Sequence, residues 1–177
     1  TVTFELGNYD ILLLCQNHKG YLNLSELISK AYLNEQGISS VSVTEEQLIS
    51  HQKGLIMVAT AVSSDIAQLL LSNEHSLAET KAIGWKSIFN DRYYISVQRT
   101  NRSLDENLLS LTIDLGLQLE IPVVATNDVQ FLTKNDYEAH EARICIAQGG
   151  LLDDARRLKN FSETQYLKTP SEMSDLF

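Results

Sequence analysis

Proline is nearly absent, with 2 in 177 residues, and glycine numbers only 8. Such a chain is neither collagen-like nor a low-complexity linker. Cysteine is equally scarce. Cys15 and Cys145 stand alone and far apart in sequence, which excludes a zinc-ligand pattern and a secreted disulfide framework. Both read as reduced core thiols. Positive charge is in deficit: Lys and Arg total 14 against 23 Asp and Glu, a net charge of −9. That balance argues against autonomous binding to a nucleic-acid backbone, which needs clustered cations to displace counterions. No apolar run approaches the ~18 residues that span a bilayer; Ile11 to Cys15, as long as any, is strand-sized. No basic segment followed by an apolar one marks a secretory leader. The expectation is a soluble, cytoplasmic protein without membrane contact.

What remains is ordinary globular composition, 44% hydrophobic and 21% charged. Four β-rich segments stand out: Asp10–Cys15, Leu55–Thr60, Arg92–Gln98 and Pro122–Asn127. The first, second and fourth are almost continuously apolar, the pattern of strands buried on both faces in a helix-covered parallel sheet. Helical segments lie between them. Gly20 to Leu33 carries Tyr21, Leu24, Leu27, Ile28, Ala31 and Tyr32 on one face. Thr44-Glu-Glu-Gln47, Ser76-Leu-Ala-Glu79 and Ser103-Leu-Asp-Glu106 read as capping boxes, and Ser63 as the cap of a helix from Asp65 to Ser72. A further helix runs from about Asn135 to Gln148 and stops at Gly149-Gly150. Leu151 to Lys168 has no clear period. Thr169-Pro170-Ser171-Glu172 opens a last helix with Thr as N-cap and Pro at the first helical position.

Strand, helix, strand, helix with short connections predicts an α/β protein of βα units with a mainly parallel sheet. Four strands are too few to close a barrel. The chain begins without Met and stops about two turns into its last helix, so it reads as part of something longer.

In parallel βα architectures, function gathers at the C-terminal ends of strands. Four such ends can be read: Gln16-Asn17-His18, Thr60-Ala61-Val62, Gln98-Arg99-Thr100 and Thr126-Asn127-Asp128-Val129-Gln130. The last is the most polar. Asn127-Asp128 suits a carboxylate platform for a divalent metal or a general base, and equally an Asx turn after the strand. His18, His51 and His75 sit in polar contexts and are expected in solvent. His140, three residues after Tyr137 and four before Ile144, falls on a packed helix face, as a core histidine or a ligand. Arg99 and Arg102 flank a loop where they could hold a phosphate or a carboxylate. The run Arg156-Arg157-Leu158-Lys159 is a second positive spot, either a partner contact or plain solvated charge.

Several segments together resemble one family. Gly20-Tyr-Leu-Asn-Leu24 with Leu27-Ile-Ser29 and Ala31, and Pro122-Val-Val-Ala-Thr-Asn-Asp128, are similar to segments of bacterial DNA polymerase III alpha subunits. Asp136-Tyr-Glu-Ala-His-Glu141 with Arg143, Asp91-Arg-Tyr-Tyr94, Asn160-Phe161, Tyr166-Leu167 and Ser171-Glu-Met173 follow in the same order. The resemblance covers essentially the whole chain. It implies the later part of the N-terminal PHP (polymerase and histidinol phosphatase) domain over residues 1–168, with 169–177 starting the helix toward the polymerase core. The implied fold is a partial, barrel-like series of βα units with a curved, mainly parallel sheet and outer helices.

The resemblance also implies where a PHP metal site would be. Members with an intact site resemble this chain with His in place of Asp10, Cys or His at or beside Ala61, and His in place of Gln130; only Asp128 keeps the pattern. No metal is therefore expected here and no cofactor on this segment, while Mg would serve the complete polymerase. The leading reading is a non-catalytic segment of a DNA-directed DNA polymerase, a scaffold and docking surface for the proofreading exonuclease among other holoenzyme subunits, with DNA bound through the rest of the polymerase. The rival is a metal-dependent phosphoesterase or proofreading site completed by a segment before Thr1.

Overall fold

The structure is a computed structural model that describes residues 2–4, 9–34, 42–102, 105–154, 156 and 159–177. The element order is β1 (Val2–Phe4), β2 (Asp10–Cys15), α1 (His18–Asn34), β3 (Ser42–Val43), α2 (Glu45–His51), β4 (Leu55–Ala59), α3 (Asp65–Leu71), α4 (His75–Phe89), β5 (Tyr93–Val97), α5 (Asp105–Leu119), β6 (Val123–Ala125), α6 (Tyr137–Gln148) and α7 (Pro170–Leu176). The four strands expected from the sequence are present, within two residues at each end. The chain divides into two compact units: Thr1–Val97 with Asn107–Val124, and Gln98–Glu106 with Ala125–Phe177.

One sheet carries the strand order β3-β1-β2-β4-β5-β6. β1 and β3 pair parallel, as do β4 and β5, whereas β2 pairs antiparallel with both its neighbours. The sheet is thus mainly parallel, with β2 alone reversed among β1 to β5. Only residues 5–9 separate β1 from β2, and so short a connection can join only antiparallel neighbours. The reversal overturns one part of the sequence reading. Cys15 lies opposite Leu55, where β4 begins, and Ile11 lies opposite Ala59, where it ends. Gln16-Asn17-His18 therefore sits at the edge where β4 starts, not with the C-terminal strand ends.

Burial on both faces holds for β4 and β5 but not for β2 or β6. In β2 only Ile11 and Leu13 are fully buried, and in β6 none is. β6 is an edge strand, and β2 alternates as a half-buried strand does. Cys15, the last residue of β2, is exposed rather than in the core, whereas Cys145 is buried; both thiols are free. On α1, Leu27 and Ala31 are buried but Tyr21, Ile28 and Tyr32 face out, so the packed stripe is narrower than the sequence suggested.

Helix starts follow local chemistry. Thr44 and Gln47 form the expected reciprocal box, and Thr169 and Glu172 form another with Pro170 inside it. Ser64, not Ser63, caps α3, accepting from the Ala67 amide at 3.2 Å; the Ser63 hydroxyl instead meets Thr60 Oγ1 at 3.0 Å. Ser76 forms no box, because α4 starts earlier, at His75, with no side-chain cap. The box expected at Ser103, with Leu104, lies outside the described residues. α6 is preceded by a 3₁₀ turn boxed by Thr133 and Asp136, and ends on Gly149 in the left-handed region at φ 68°.

The turn joining β2 to α1 is held by backbone contact. An added Cβ on Gly20 would lie 1.8 Å from the carbonyl oxygen of Gly54, whose own φ is +76°. That carbonyl accepts from the Gln16 amide at 2.8 Å. Asn23 Nδ2 donates to Lys53 O at 2.7 Å, and Asn17 Oδ1 accepts from the Gly20 amide at 3.0 Å. From the other side the Arg92 guanidinium donates to Gln52 O, Leu55 O and Gln52 Oε1 at 2.6–2.7 Å. Gly20→Ala forces displacement of backbone on both sides, with an expected loss of about 3 kcal/mol in unfolding free energy. A urea melt within about 0.5 kcal/mol of wild type would contradict this account.

Deeper in the same unit, the buried Asp65 carboxylate accepts from the Ile66 amide at 2.8 Å and from the Trp85 indole N–H at 2.9 Å. Burial raises its pKa above the usual value of 3.8, against the pull of both hydrogen bonds. The folded state thus holds this proton more tightly than the unfolded chain. The associated stability is present below the ordinary value and is lost as pH rises through the raised one. Relative to Asp65→Asn, wild type should lose stability as pH climbs from about 3.8. Fluorescence of Trp85, the one tryptophan in these 177 residues, reads the unfolding of this unit; a wild-type-minus-variant difference that is flat with pH would count against it.

Candidate functional site

The polar strand end after β6 is the chemically richest place in the second unit. Asp128 Oδ1 accepts from Gln130 Nε2 at 2.7 Å. Asp128 Oδ2 accepts from Gln165 Nε2 at 2.9 Å and has Arg102 Nη2 at 3.5 Å. Gln165 is fully buried and fully engaged. Its Nε2 also reaches Asp128 O at 3.2 Å, its Oε1 accepts from the Ser162 amide at 2.8 Å, its own amide donates to Ser162 O, and its carbonyl accepts from the Gln130 amide. Beside it, Asn127 Nδ2 donates to Tyr166 O at 2.7 Å, and Phe131 bridges Tyr166 in parallel. The stretch from Ser162 to Leu167, aperiodic in sequence, is therefore hydrogen-bonded along the 127–131 segment.

Arg102 is committed within the same network. Its Nε donates to Thr100 Oγ1 at 2.7 Å, and Nη2 reaches Gln98 Oε1 at 3.4 Å. Arg99 forms an ion pair with Glu106 at 2.9 Å, donates to Leu176 O, and lies 5.5 Å from the Phe177 ring centroid. Arg156 is exposed and paired with Asp154 at 3.2 Å. Lys159 is exposed, and Arg157 lies outside the described residues.

In the first unit, Asp10 and Ala61 share one end of the sheet. Thr60 Oγ1 donates to Asp10 O at 2.9 Å, and the Asp10 amide donates to Ser63 O at 2.8 Å. Ala61 is 5% exposed and offers no donor atom. Asp128 and Gln130 belong to the other unit. Among the described residues, no three His, Cys, Asp or Glu side chains gather as a metal site would require. The donor set does not fit the metal site that the resemblance implies: no imidazole stands at Asp10, Ala61, Asp128 or Gln130, and each oxygen of Asp128 accepts an amide hydrogen bond.

The histidines are not where the sequence placed them all. His140 is 5% exposed, packed edge-on against Phe161 at 4.7 Å and near Phe131 at 5.5 Å, as a core histidine is. Arg143 Nη2 lies 3.3 Å from its Nδ1. His51, expected in solvent, is mostly covered: its ring touches Gln47 O, Ser50 Oγ and Lys30 Nζ at 2.7–3.1 Å, which ties α2 to α1. His18 and His75 are exposed. A pocket of about 480 Å³ lined by Ile113, Gly116, Leu117, Glu120, Ile121, Pro122 and Val123 is mainly apolar, with Glu120 its one charged residue.

Sequence reasoning missed Gln165. A signal was present: Ser162-Glu-Thr-Gln165 has the spacing of a capping box, but here the pair closes a turn that presents the amide to Asp128.

With this geometry in view, comparison with known proteins gives the class. The PHP domain family matches residues 2–100, and the chain belongs to that family. Over 94% of its length the chain is 42% identical to DNA polymerase III subunit alpha of Pseudomonas fluorescens, 38% identical to that of Vibrio cholerae and 36% identical to that of Escherichia coli strain K12. In each case it spans 14% of the relative's length.

Gln165→Leu keeps the bulk but strips the amide, leaving Asp128 and the Ser162 amide short of partners. Burying unsatisfied groups predicts a loss of about 3 kcal/mol, read by chemical denaturation; an unchanged midpoint would refute the network.

Proposed function

We infer that this chain serves as the PHP part of a bacterial DNA polymerase III alpha subunit and is non-catalytic in that setting. Its role is scaffold and docking surface, chiefly for the proofreading exonuclease, in the company of the other holoenzyme subunits. On this reading, Mg-dependent nucleotidyl transfer and DNA contact belong to regions outside the seventh of the relatives that the chain matches.

The observation that carries the reading is the engagement of Asp128 by the chain's own donors. A phosphoesterase of this class needs a metal-activated water in a rigid ligand shell, and each oxygen of this carboxylate instead accepts an amide hydrogen bond, from Gln130 and Gln165, with Arg102 beside it. The charge supports a protein partner over nucleic acid: the net charge is −9, and Arg99, Arg102 and Arg156 are each paired within the chain. Arg99, Arg102 and the Arg156–Lys159 run remain the positive spots at which an acidic partner surface would meet this one.

The test is a titration of the full alpha subunit and of a form lacking these residues, against exonuclease and against duplex DNA at physiological salt. Deletion should abolish exonuclease binding while leaving DNA affinity largely intact. A Mn²⁺-supplemented phosphate-ester assay on the intact protein should stay at background. Exonuclease binding that survives the deletion, or Mn²⁺-dependent hydrolysis lost in Asp128→Asn, would overturn the reading.

A further inference from the structure

The disagreement between the family's metal chemistry and this donor set has its own structural content. A divalent cation on a carboxylate does two things: it neutralises the charge, and it ties together the segments that supply the ligands. Three segments of the second unit meet at Asp128 here. They are the loop after β5 through Arg102, the loop after β6 through Asp128 and Gln130, and the 162–167 stretch through Gln165.

We propose that Gln130, Gln165 and Arg102 together hold Asp128 in the manner of a divalent cation, so that this unit is locked by amide and guanidinium donors and is closed to metal. The two amide nitrogens lie 2.7 and 2.9 Å away, one on each carboxylate oxygen, and Arg102, which also faces Asp105 Oδ1 at 3.9 Å, supplies positive charge from 3.5 Å. Arg102 and Asp128 are about one-third exposed, 32% and 35%, so their Coulomb attraction is screened and modest. The buried Gln165 is the discriminating member. Its amide presents hydrogen where a metal-binding site would present a second oxygen, and its Oε1 is fixed by the Ser162 amide, which sets which end of the amide faces Asp128. This inference does not depend on the docking role.

Gln165→Glu tests it with a change of one atom. The variant replaces the donor N–H₂ by an oxygen facing Asp128 Oδ2 and Asp128 O, which creates an oxygen cage suited to a hard cation. Without metal it should melt roughly 5 °C below wild type, and millimolar Mn²⁺ should restore most of that loss. Mn²⁺ binding is read independently by loss of the free-ion electron paramagnetic resonance signal. The comparison is made in the full alpha subunit, prepared without a polyhistidine tag, where metal bound elsewhere is common to both forms, so Gln165→Glu should take up one Mn²⁺ more than wild type. Gln130→Glu, on the more open side of Asp128, makes the same comparison should Gln165→Glu fail to fold. A variant that melts like wild type without metal, one that Mn²⁺ does not restore, or one that binds no more Mn²⁺ than wild type would each overturn the proposal.

Discussion

The first unit depends on a backbone-to-backbone approach. Gly20 and Gly54 meet so closely that no side chain fits at Gly20, and Gly54 adopts a positive φ that other residues rarely tolerate. Around that contact, Asn17, Asn23 and Arg92 engage the amides and carbonyls that a tight turn leaves without helix or sheet partners. The clasp fixes where α1 leaves β2 and where β4 begins. It thereby sets the register of the antiparallel pair on which the parallel strands are built. Arg92 does this from a half-buried position, its charge satisfied by three oxygens and by the face of Phe89 at 5.7 Å.

That arrangement assigns a physical role to the motif carrying the family resemblance. Gly20 and Asn23 lie at the edge of the sheet where β4 starts, away from the end at which Asp10 meets Thr60. They are building elements. The same is true of Arg92 and of Tyr137, whose hydroxyl donates to Phe161 O at 3.2 Å. Residues that look like a functional signature because they recur in order are here the polar ties that make the fold possible.

In the second unit, polar ties replace much of what a hydrophobic core does in the first. Gln165, Asp105 and Thr100 are buried and hydrogen-bonded, with the half-buried Asp128 at their margin; Asp105 Oδ2 accepts from the Thr100 hydroxyl at 2.9 Å and from the Arg102 amide at 3.2 Å. Such networks specify one arrangement when every member is satisfied and weaken sharply when one is removed. Asp128 sits in this setting with an amide donor on each oxygen and the Arg102 guanidinium beside it.

The sequence by itself determined the alternation of strands and helices, the α/β class, the boxes at Thr44 and Thr169, the stop at Gly149 and the packed position of His140. Each is set by chemistry within a few residues: apolar period, capping hydroxyls, or a glycine free to adopt positive φ. Likeness of residues, not local pattern, supplied the family. Tertiary structure alone decided that β2 runs against its neighbours, because direction follows from the connection to β1 and not from the composition of Asp10 to Cys15. It alone decided that Tyr21, Ile28 and Tyr32 face outward and that Cys15 is exposed, since a helix or strand of given pattern buries only as much as its neighbours cover. It also decided what Asp128 does. A carboxylate after a strand is compatible with a metal, a base or a turn, and what Asp128 meets here is the amide of Gln165, 37 residues away in the chain and brought to it only by the fold.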